Sequence, residues 1–506
     1  MAAGVGRVNV GTVRTWKLVV AVLALALPWR LFLQRRYYGW EESDYGNLAM
    51  IRGVLDGGFR HFDMNHMPGY YALGAAVLAV VGDPVQAARL VTLTGGLVAV
   101  ALAVTLAARV WGPSVALVAG LILVVQPELA LYSSSSLREP IYAAWLLAML
   151  AALSRERLVL AGVFAGLAFL VRMDGALSVA PVLVLHALGR GPRLPRLAAA
   201  LIPLALAIAA WATYTRIDHG TAMFWGHSVA VNVETGLGAE AVGRGEWVAN
   251  GLSVVVSLGA WLMPWRLGWG VWLGLLLALA TTPWRRHGLQ RSWSLLAILM
   301  TGVWLGIGFT GQHSPDHNLY WKWLCPIVPV VVPHGVSGLL RALRRLPRPA
   351  ALALGALLIT QGLVSNLEET GRQIDRSVAW YKPQLELGRW FEAQVPEDQP
   401  LLIDGIPAVW IDRNPHERRL HSWFDVPTGG DPQAFARWLV EEQVAWVLWF
   451  VEDWTQAPVV APFLAAGGTW DGGEVTLVET DREDGYGWIL YRVDRGPTAP
   501  APRLAP

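Results

Sequence analysis

Long apolar runs separated by short polar connections fill most of the chain. A helix needs roughly 20 apolar residues to cross the hydrocarbon core of a bilayer, and about eleven runs approach that length. We predict membrane spans at 17–34, 86–107, 114–132, 140–153, 158–171, 176–188, 197–212, 267–283, 292–310, 323–340 and 349–365. The pattern therefore predicts a polytopic α-helical membrane protein.

The arginines between the runs predict how the protein lies in the membrane. Basic residues concentrate in cytoplasmic loops, and with the N-terminus inside, nearly every arginine cluster falls there. Those loops are 108–112, 154–157, 189–196, 284–287 with Arg291, and 341–345. Arg35 and Arg36 are the exception. The apolar stretch 251–264 is predicted to lie along the interface, because a full span there would turn the last two clusters outward. We expect a multi-pass protein of the inner or plasma membrane with a cytoplasmic N-terminus.

Two further regions are predicted to lie outside the membrane. The first outer loop, about 35–85, contains a segment with helical periodicity at 45–55, typical of an amphipathic helix on the membrane surface, and a short apolar piece at 70–81. Beyond 365 the charge rises and strand and helix periodicities alternate. We predict helices at 385–394 and 432–443 and strands at 401–403, 446–451, 474–479 and 487–493. This composition predicts a transmembrane domain over 1–365, an extracytoplasmic α/β domain over 366–495 and a disordered tail over 496–506.

Composition narrows the class of protein. Only 15% of the 506 residues are charged, against about a quarter in soluble domains. The 27 tryptophans suit a membrane protein, whose aromatic rings collect at the lipid interface. A net charge of +2 argues against a nucleic-acid partner. Cys325 is the single cysteine, which excludes an intramolecular disulfide.

An acidic cluster follows the first span, in the sequence Glu41-Glu42-Ser43-Asp44-Tyr45. Carboxylates this close together raise one another's pKa unless a cation or a hydrogen-bond donor lies among them. Such a group suits a general base or a metal ligand. The alternative is a solvated loop whose acids have no joint function. His66, in His66-Met67-Pro68 at the end of the same loop, could bind a divalent metal ion or accept a proton, or could be an ordinary loop histidine.

Other charged residues fall in later outer turns. Glu139 follows four serines and Arg138 and precedes a proline, a position that also suits an ordinary helix N-terminus. Arg172 and Lys322 lie at the outer membrane boundary, where a cation can bind a lipid phosphate or simply extend toward headgroups. His317 is a further candidate in the last outer turn. Charges at a membrane edge are expensive and are functional candidates by default.

Taken together, these motifs resemble the GT-C superfamily of polyprenol-phosphate-sugar glycosyltransferases, in the branch of protein O-mannosyltransferases and aminoarabinose transferases. The resemblance covers about residues 15–365. It rests on the acidic pair and tyrosine after the first span, the His-x-Pro, the Ala-Ala-Arg-Leu at 87–90, the serine turn ending in acid-proline, the Gly-Leu-Ala-Phe-Leu-x-Arg at 166–172, and Tyr320 with Pro326 and Pro329.

The resemblance implies roles for particular residues. Glu41 falls where the family has its catalytic aspartate, Glu42 falls on the paired glutamate, and Asp44 is a rival base. Glu139 matches a second acidic position, and His66 a position where relatives have a metal-binding glutamate or a histidine. Arg138, Arg172 and Lys322 are assigned to the donor phosphate, and Tyr45 and His317 are further candidates.

The implied function is transfer of a sugar from a polyprenyl-phosphate donor to an extracytoplasmic hydroxyl with inversion. The acceptor could be a protein, a lipid or a glycan, and metal dependence stays open. Two alternatives remain. One is a membrane transporter or flippase, which would tend to place charges near the midplane and to show repeated halves. The other is a non-catalytic assembly protein with a degenerate GT-C fold.

Overall fold

The computed structural model describes residues 12–37, 47–48, 50–55, 67–189, 192–218, 220–222, 267–282, 288–309, 324–394, 399–403, 420–422, 432–450, 469–470, 473–483 and 488–495. The predicted interface stretch 251–264 and the predicted tail 496–506 lie outside these residues. The chain divides into two compact units, the first comprising Met1–Gly39 and Ala49–Asp375 and the second Trp40–Leu48 and Arg376–Pro506. The helix Arg348–Gln394 belongs to both units.

The first unit is helical, as the apolar runs predict. Its helices are α1 (Thr12–Arg36), α2 (Pro68–Val81), α3 (Pro84–Trp111), α4 (Pro113–Val125), α5 (Pro127–Tyr132), α6 (Glu139–Leu153), α7 (Leu158–Val171), α8 (Gly175–Ala187), α9 (Arg193–Asp218), α10 (Trp269–Ala280), α11 (Leu289–Phe309), α12 (Val328–Leu343) and α13 (Arg348–Gln394). Residues 47–48 and 50–55 are also helical, within the predicted amphipathic segment. The predicted polytopic helical fold is confirmed.

The described helices differ in their ability to cross a bilayer alone. Four of them are long and apolar enough to do so by length and composition, at Thr15–Arg36, Pro84–Trp111, Arg193–Asp218 and Arg348–Ala379. Shorter apolar helices, α4, α6, α7 and α8 among them, occupy most of the other predicted spans. The figure of about eleven spans stays a prediction. Likewise, α13 continues through residue 365 without a break, so the change of composition there coincides with no end of a helix.

One predicted span is interrupted. The apolar run 114–132 forms α4 and the short α5, with Gln126 in an extended conformation between them. Pro127 lacks the N–H that would continue α4 and instead occupies the first turn of α5, where no donor is needed. The Gln126 side chain accepts a hydrogen bond from the Leu129 N–H at 2.9 Å and caps the new helix.

Glycines allow α10 and α12 to pack with their backbones almost in contact. A Cβ on Gly338 would lie 2.7 Å from the carbonyl carbon of Gly274, and one on Gly335 would overlap the Val271 carbonyl. Small residues at such crossings let membrane helices approach closely where lipid offers no hydrophobic driving force. These glycines therefore fix the contact between α10 and α12.

The second unit contains a six-stranded mixed sheet in the order β2-β1-β3-β6-β5-β4. Its elements are β1 (Leu401–Ile403), β2 (Leu420–Ser422), α14 (Pro432–Glu441), β3 (Trp446–Phe450), β4 (Thr469–Trp470), β5 (Gly473–Glu483) and β6 (Trp488–Arg495). β1 is parallel to β2 and β3, whereas β3, β6, β5 and β4 pair antiparallel. Phe435 and Leu439 of α14 are fully buried with Leu402 and Val447 of the sheet in one apolar core.

Candidate active site

Three of the residues singled out from the sequence are described in the structure: Arg138, Glu139 and Arg172. The others lie outside the described residues. They are Glu41, Glu42, Asp44, Tyr45, His66, His317 and Lys322. Their roles remain predictions.

Glu139 is the first residue of α6 and is 1% exposed. Pro140 follows it and, like Pro127 of α5, occupies a helix start where its missing N–H costs nothing. A carboxylate at this end of a helix is favoured by the helix dipole. Its Oε1 accepts a hydrogen bond from Nη1 of Arg172 at 2.7 Å, which joins two residues 33 positions apart in the chain.

Arg172 ends α7 in an extended conformation and is 3% exposed. Besides Glu139, its Nε donates to Oδ1 of Asp174 at 3.0 Å, and its guanidinium carbon lies 5.8 Å from the centre of the Tyr142 ring. Burial of Arg172 lowers its pKa, but the carboxylates of Asp174 and Glu139 outweigh burial and the net shift is upward from the ordinary value for arginine. The guanidinium thus stays charged and is held by two acids and one aromatic face.

The carboxylate of Glu139 is only half satisfied. Its Oε2 is buried and has no hydrogen-bond partner among the described residues, and the same is true of Nη1 of the adjacent Arg138. Buried polar atoms are nearly always paired in native proteins, so each of these two unpaired atoms calls for an explanation. A polar ligand that offers a donor to Glu139 and an acceptor to Arg138 would satisfy both.

A small pocket opens beside the ion pair. Arg172, Asp174 and Tyr142 line one side of it, and Ser178, Met300, Val303, Pro326 and Ile327 complete its wall around a cavity of about 10 Å³. The cavity combines a charged wall with an apolar one and, at this volume, has room for about one water molecule.

Several polar residues of this region were not singled out from the sequence. Asp174 and Tyr142 contact Arg172, and Glu128 of α5 is fully buried, accepting a short hydrogen bond from the Gln126 side chain. A carboxylate inside an apolar run was the available signal for Glu128, because charges at membrane depth are rare and functional by default. The contact of Tyr142 carries no comparable signal in the sequence.

The described residues contain no group of three or more His, Cys, Asp or Glu side chains that could hold a metal ion. The acids and the histidine that the sequence suggested for a metal, Glu41 to Asp44 and His66, lie outside that part of the chain. The metal therefore stays an untested prediction.

Comparisons with known proteins bear on the fold. Residues 65–225, about a third of the chain, match the family model described as dolichyl-phosphate-mannose-protein mannosyltransferase. This segment includes α6, α7 and the Glu139–Arg172 pair. No curated protein sequence matches the chain.

Solved membrane enzymes share the architecture over nearly the whole chain. ArnT from Cupriavidus metallidurans in the apo state is 16% identical with a TM-score of 0.56, covering 95% of this chain and 98% of that one. The same enzyme bound to undecaprenyl phosphate is 14% identical with a TM-score of 0.59, covering 97% and 100%. The Archaeoglobus fulgidus oligosaccharyltransferase, in a complex with Zn and sulfate, is 13% identical with a TM-score of 0.51, covering 86% of this chain and 68% of that one.

These likenesses show the fold of the chain. At such low identities they show the fold, and the fold is that of the GT-C membrane glycosyltransferases. Within that class, the family match and the structural likeness together confirm the resemblance to the mannosyltransferase and ArnT type that the sequence motifs indicated. The chain is a multi-pass membrane protein with this fold.

Proposed function

We propose that the protein is an integral membrane glycosyltransferase that moves a sugar from a polyprenyl-phosphate donor to an extracytoplasmic hydroxyl with inversion. The observation that carries the proposal is the buried Glu139–Arg172 pair, next to which Glu139 Oε2 and Arg138 Nη1 are buried without hydrogen-bond partners among the described residues. Burying these charges is costly, and a site that binds a polar substrate explains why they are present. The match of this segment to the mannosyltransferase model supports the same function.

In the proposed reaction, a carboxylate of the first outer loop, Glu41 or Asp44, takes the proton of the acceptor hydroxyl. The acceptor oxygen then forms a bond to the anomeric carbon of the sugar on the face opposite the phosphate. The bond from that carbon to the phosphate oxygen breaks, and its electron pair leaves with the polyprenyl phosphate. Since that leaving group is already an anion, nearby cations stabilise its departure without a general acid. Glu42 would support the base, and Tyr45 and His317 are further contacts in this proposal.

Among the described residues, Arg138, Arg172 and Glu139 have separate roles in this proposal. Arg138 has a guanidinium nitrogen without a partner among the described residues and suits the donor phosphate, together with Lys322. Arg172 adds positive charge at the pocket wall, but both of its described ion pairs are with carboxylates, so its first task in this proposal is to hold Glu139. Glu139 Oε2 then accepts a hydrogen bond from the acceptor or from the sugar and orients it.

A divalent metal ion is compatible with the chemistry but no step is routed through it. If bound, a metal would supply a Lewis acid near the phosphate oxygens. The residues that could hold it are His66 and the acids at 41–44, and the described residues add no further cluster.

The experiment uses purified full-length protein in nanodiscs with a radiolabelled polyprenyl-phosphate sugar and a panel of hydroxyl acceptors. We expect label to move from the lipid to an acceptor, and Glu139→Gln to lower the rate on the order of 100-fold by loss of substrate orientation. Glu368→Gln changes an exposed carboxylate on α13 and serves as the matched control.

Other outcomes would contradict the proposal. Accumulation of intact labelled lipid on the opposite leaflet of sealed vesicles, without transfer, would indicate a flippase. Neither transfer nor transport with any acceptor or donor of the panel would favour an assembly protein. Equal rates for Glu139→Gln and Glu368→Gln would remove Glu139 from the mechanism even if transfer occurs.

A further inference from the structure

Arg30 lies in the middle of an apolar helix and is fully buried. In α1 the buried positions Val22, Ala26, Arg30 and Leu33 recur every three or four residues and form one stripe toward the neighbouring helices. Leu31 and its neighbours on the other side of α1 are exposed. Arg30 therefore points into the bundle, where a charge is expensive unless it has a purpose.

The described contacts of Arg30 are with neutral groups. Its Nε donates to Oγ of Ser133 at 2.8 Å, and its two Nη atoms lie 3.4 Å from the carbonyl oxygens of Ala26 and Leu123. In return, Oγ of Ser134 donates to the Arg30 carbonyl at 3.2 Å. No carboxylate pairs with Arg30 among the described residues. Arg30 thus ties α1 to the end of α4 and to the first two serines after α5.

The other two serines of this turn are held by two further helices. The hydroxyl of Tyr70 in α2 donates to the Ser136 carbonyl at 2.6 Å, and Oγ1 of Thr92 in α3 makes a short hydrogen bond to the Ser135 carbonyl. Gly96 of α3 lets the turn approach, because a Cβ there would overlap the Ser133 side chain. We name residues 133–136 the serine turn; helices α1, α2 and α3 clamp it from separate positions.

The serine turn determines the position of Glu139. Two residues separate Ser136 from Glu139, and the Arg138 carbonyl already accepts the first hydrogen bond of α6, from the Tyr142 N–H at 3.1 Å. A shift of the turn is therefore passed directly to Glu139 and to its contact with Arg172. Both residues are buried and close-packed, so the shift cannot be absorbed by free rotation of exposed side chains.

We propose that Arg30 is a positioning residue for sugar transfer, which acts by clamping the serine turn and so sets the place of Glu139. The inference rests on the proposed function, since it assigns Arg30 a role through Glu139. Burying a charge is costly unless it is paired with an opposite charge, so hydrogen bonds to neutral acceptors are a poor reason to bury Arg30 for stability alone. The planar fork of arginine, however, can reach three acceptors in fixed directions, which a point charge cannot.

The test compares Arg30→Met with Leu31→Met, its lipid-facing neighbour on α1, in nanodiscs. Four quantities are measured for each: kcat, the apparent Kd for undecaprenyl phosphate, the thermal midpoint, and hydrogen–deuterium exchange of residues 133–139. We expect Arg30→Met to lower kcat on the order of 100-fold, as displacement of a substrate-orienting group does. Lipid binding and the thermal midpoint should stay near those of Leu31→Met, exchange of 133–139 should rise, and Arg30→Lys should recover part of kcat.

A double-mutant cycle separates positioning from a general structural effect. If Arg30 acts through Glu139, Arg30→Met lowers transfer no further in a Glu139→Gln background. Multiplied losses in the double variant, wild-type kcat in Arg30→Met, or parallel loss of thermal midpoint and lipid binding would each overturn the inference. If the wild-type protein transfers no sugar, the proposed function fails. Whether Arg30 holds the serine turn is then tested only by hydrogen–deuterium exchange of residues 133–139. Unchanged exchange of 133–139 in Arg30→Met would then refute the clamp as well.

Discussion

Replacing Arg172 by methionine would leave two carboxylates without their shared cation. The side chains of Glu139 and Arg172 are 1% and 2% exposed, so Glu139 cannot recover its lost partner from water. Removing one member of a buried ion pair typically costs about 3–5 kcal/mol. Asp174 is 23% exposed and regains some hydration, which places the expected loss toward the lower end, at about 3 kcal/mol.

That loss should appear in the thermal unfolding of purified protein followed by intrinsic tryptophan fluorescence. For a unit of this size we expect the midpoint to fall on the order of 5 °C. Arg157→Met, in an exposed loop between α6 and α7, is the matched control and should change the midpoint little. Transfer should also fall in Arg172→Met, since Glu139 loses the contact that orients it.

A second substitution shows whether the uncompensated carboxylate is the cause. Glu139→Gln in the Arg172→Met background removes the buried negative charge and should restore a large part of the lost midpoint. If Arg172→Met unfolds at the temperature of Arg157→Met, or if the two substitutions add their losses, the pair does not stabilise the protein in the way described.

Three further predictions concern other parts of the molecule. Glu41→Ala should abolish sugar transfer while expression and thermal midpoint stay unchanged, and full activity in that variant would remove Glu41 as the base. Gly338→Ala should lower the thermal midpoint because its Cβ would meet the Gly274 backbone, whereas Gly302→Ala has open space around it and should unfold like the wild type. Phe435→Ala should destabilise the second unit by about 3–5 kcal/mol, measured by protease sensitivity, with exposed Arg437→Ala showing little change.

Much of the helical fold could be predicted from the sequence because a bilayer imposes a length on every apolar run. The predicted run 158–171 coincides with α7, and 140–153 differs from α6 by one residue. The interruption at Gln126 was missed because long apolar stretches flank it on the N-terminal side, and Pro127 and Glu128 next to it were given too little weight. β1 is equally short but wholly apolar and was predicted, whereas β2 and β4 have three and two residues of mixed polarity and were missed.

The site was harder to predict than the fold. Sequence placed Glu139 and Arg172 on the same side of the membrane, but it could not show that they pair, since the contact joins two turns 33 residues apart. The assignment of Arg172 to the donor phosphate came from the family resemblance and stays a prediction. The tie between Arg30 and Ser133 spans 103 residues and has no local signature at all.

The serine turn also constrains the order in which the protein can assemble in the membrane. Tyr70 and Thr92 satisfy two of its carbonyl groups, which lipid could not, and Arg30 donates to the Ser133 hydroxyl. All three precede the turn in the chain and leave the ribosome before it. Glu139, in contrast, must wait for Arg172, which is synthesised later. The partners of the serine turn are therefore all synthesised before it, whereas the buried partner of Glu139 is synthesised after it.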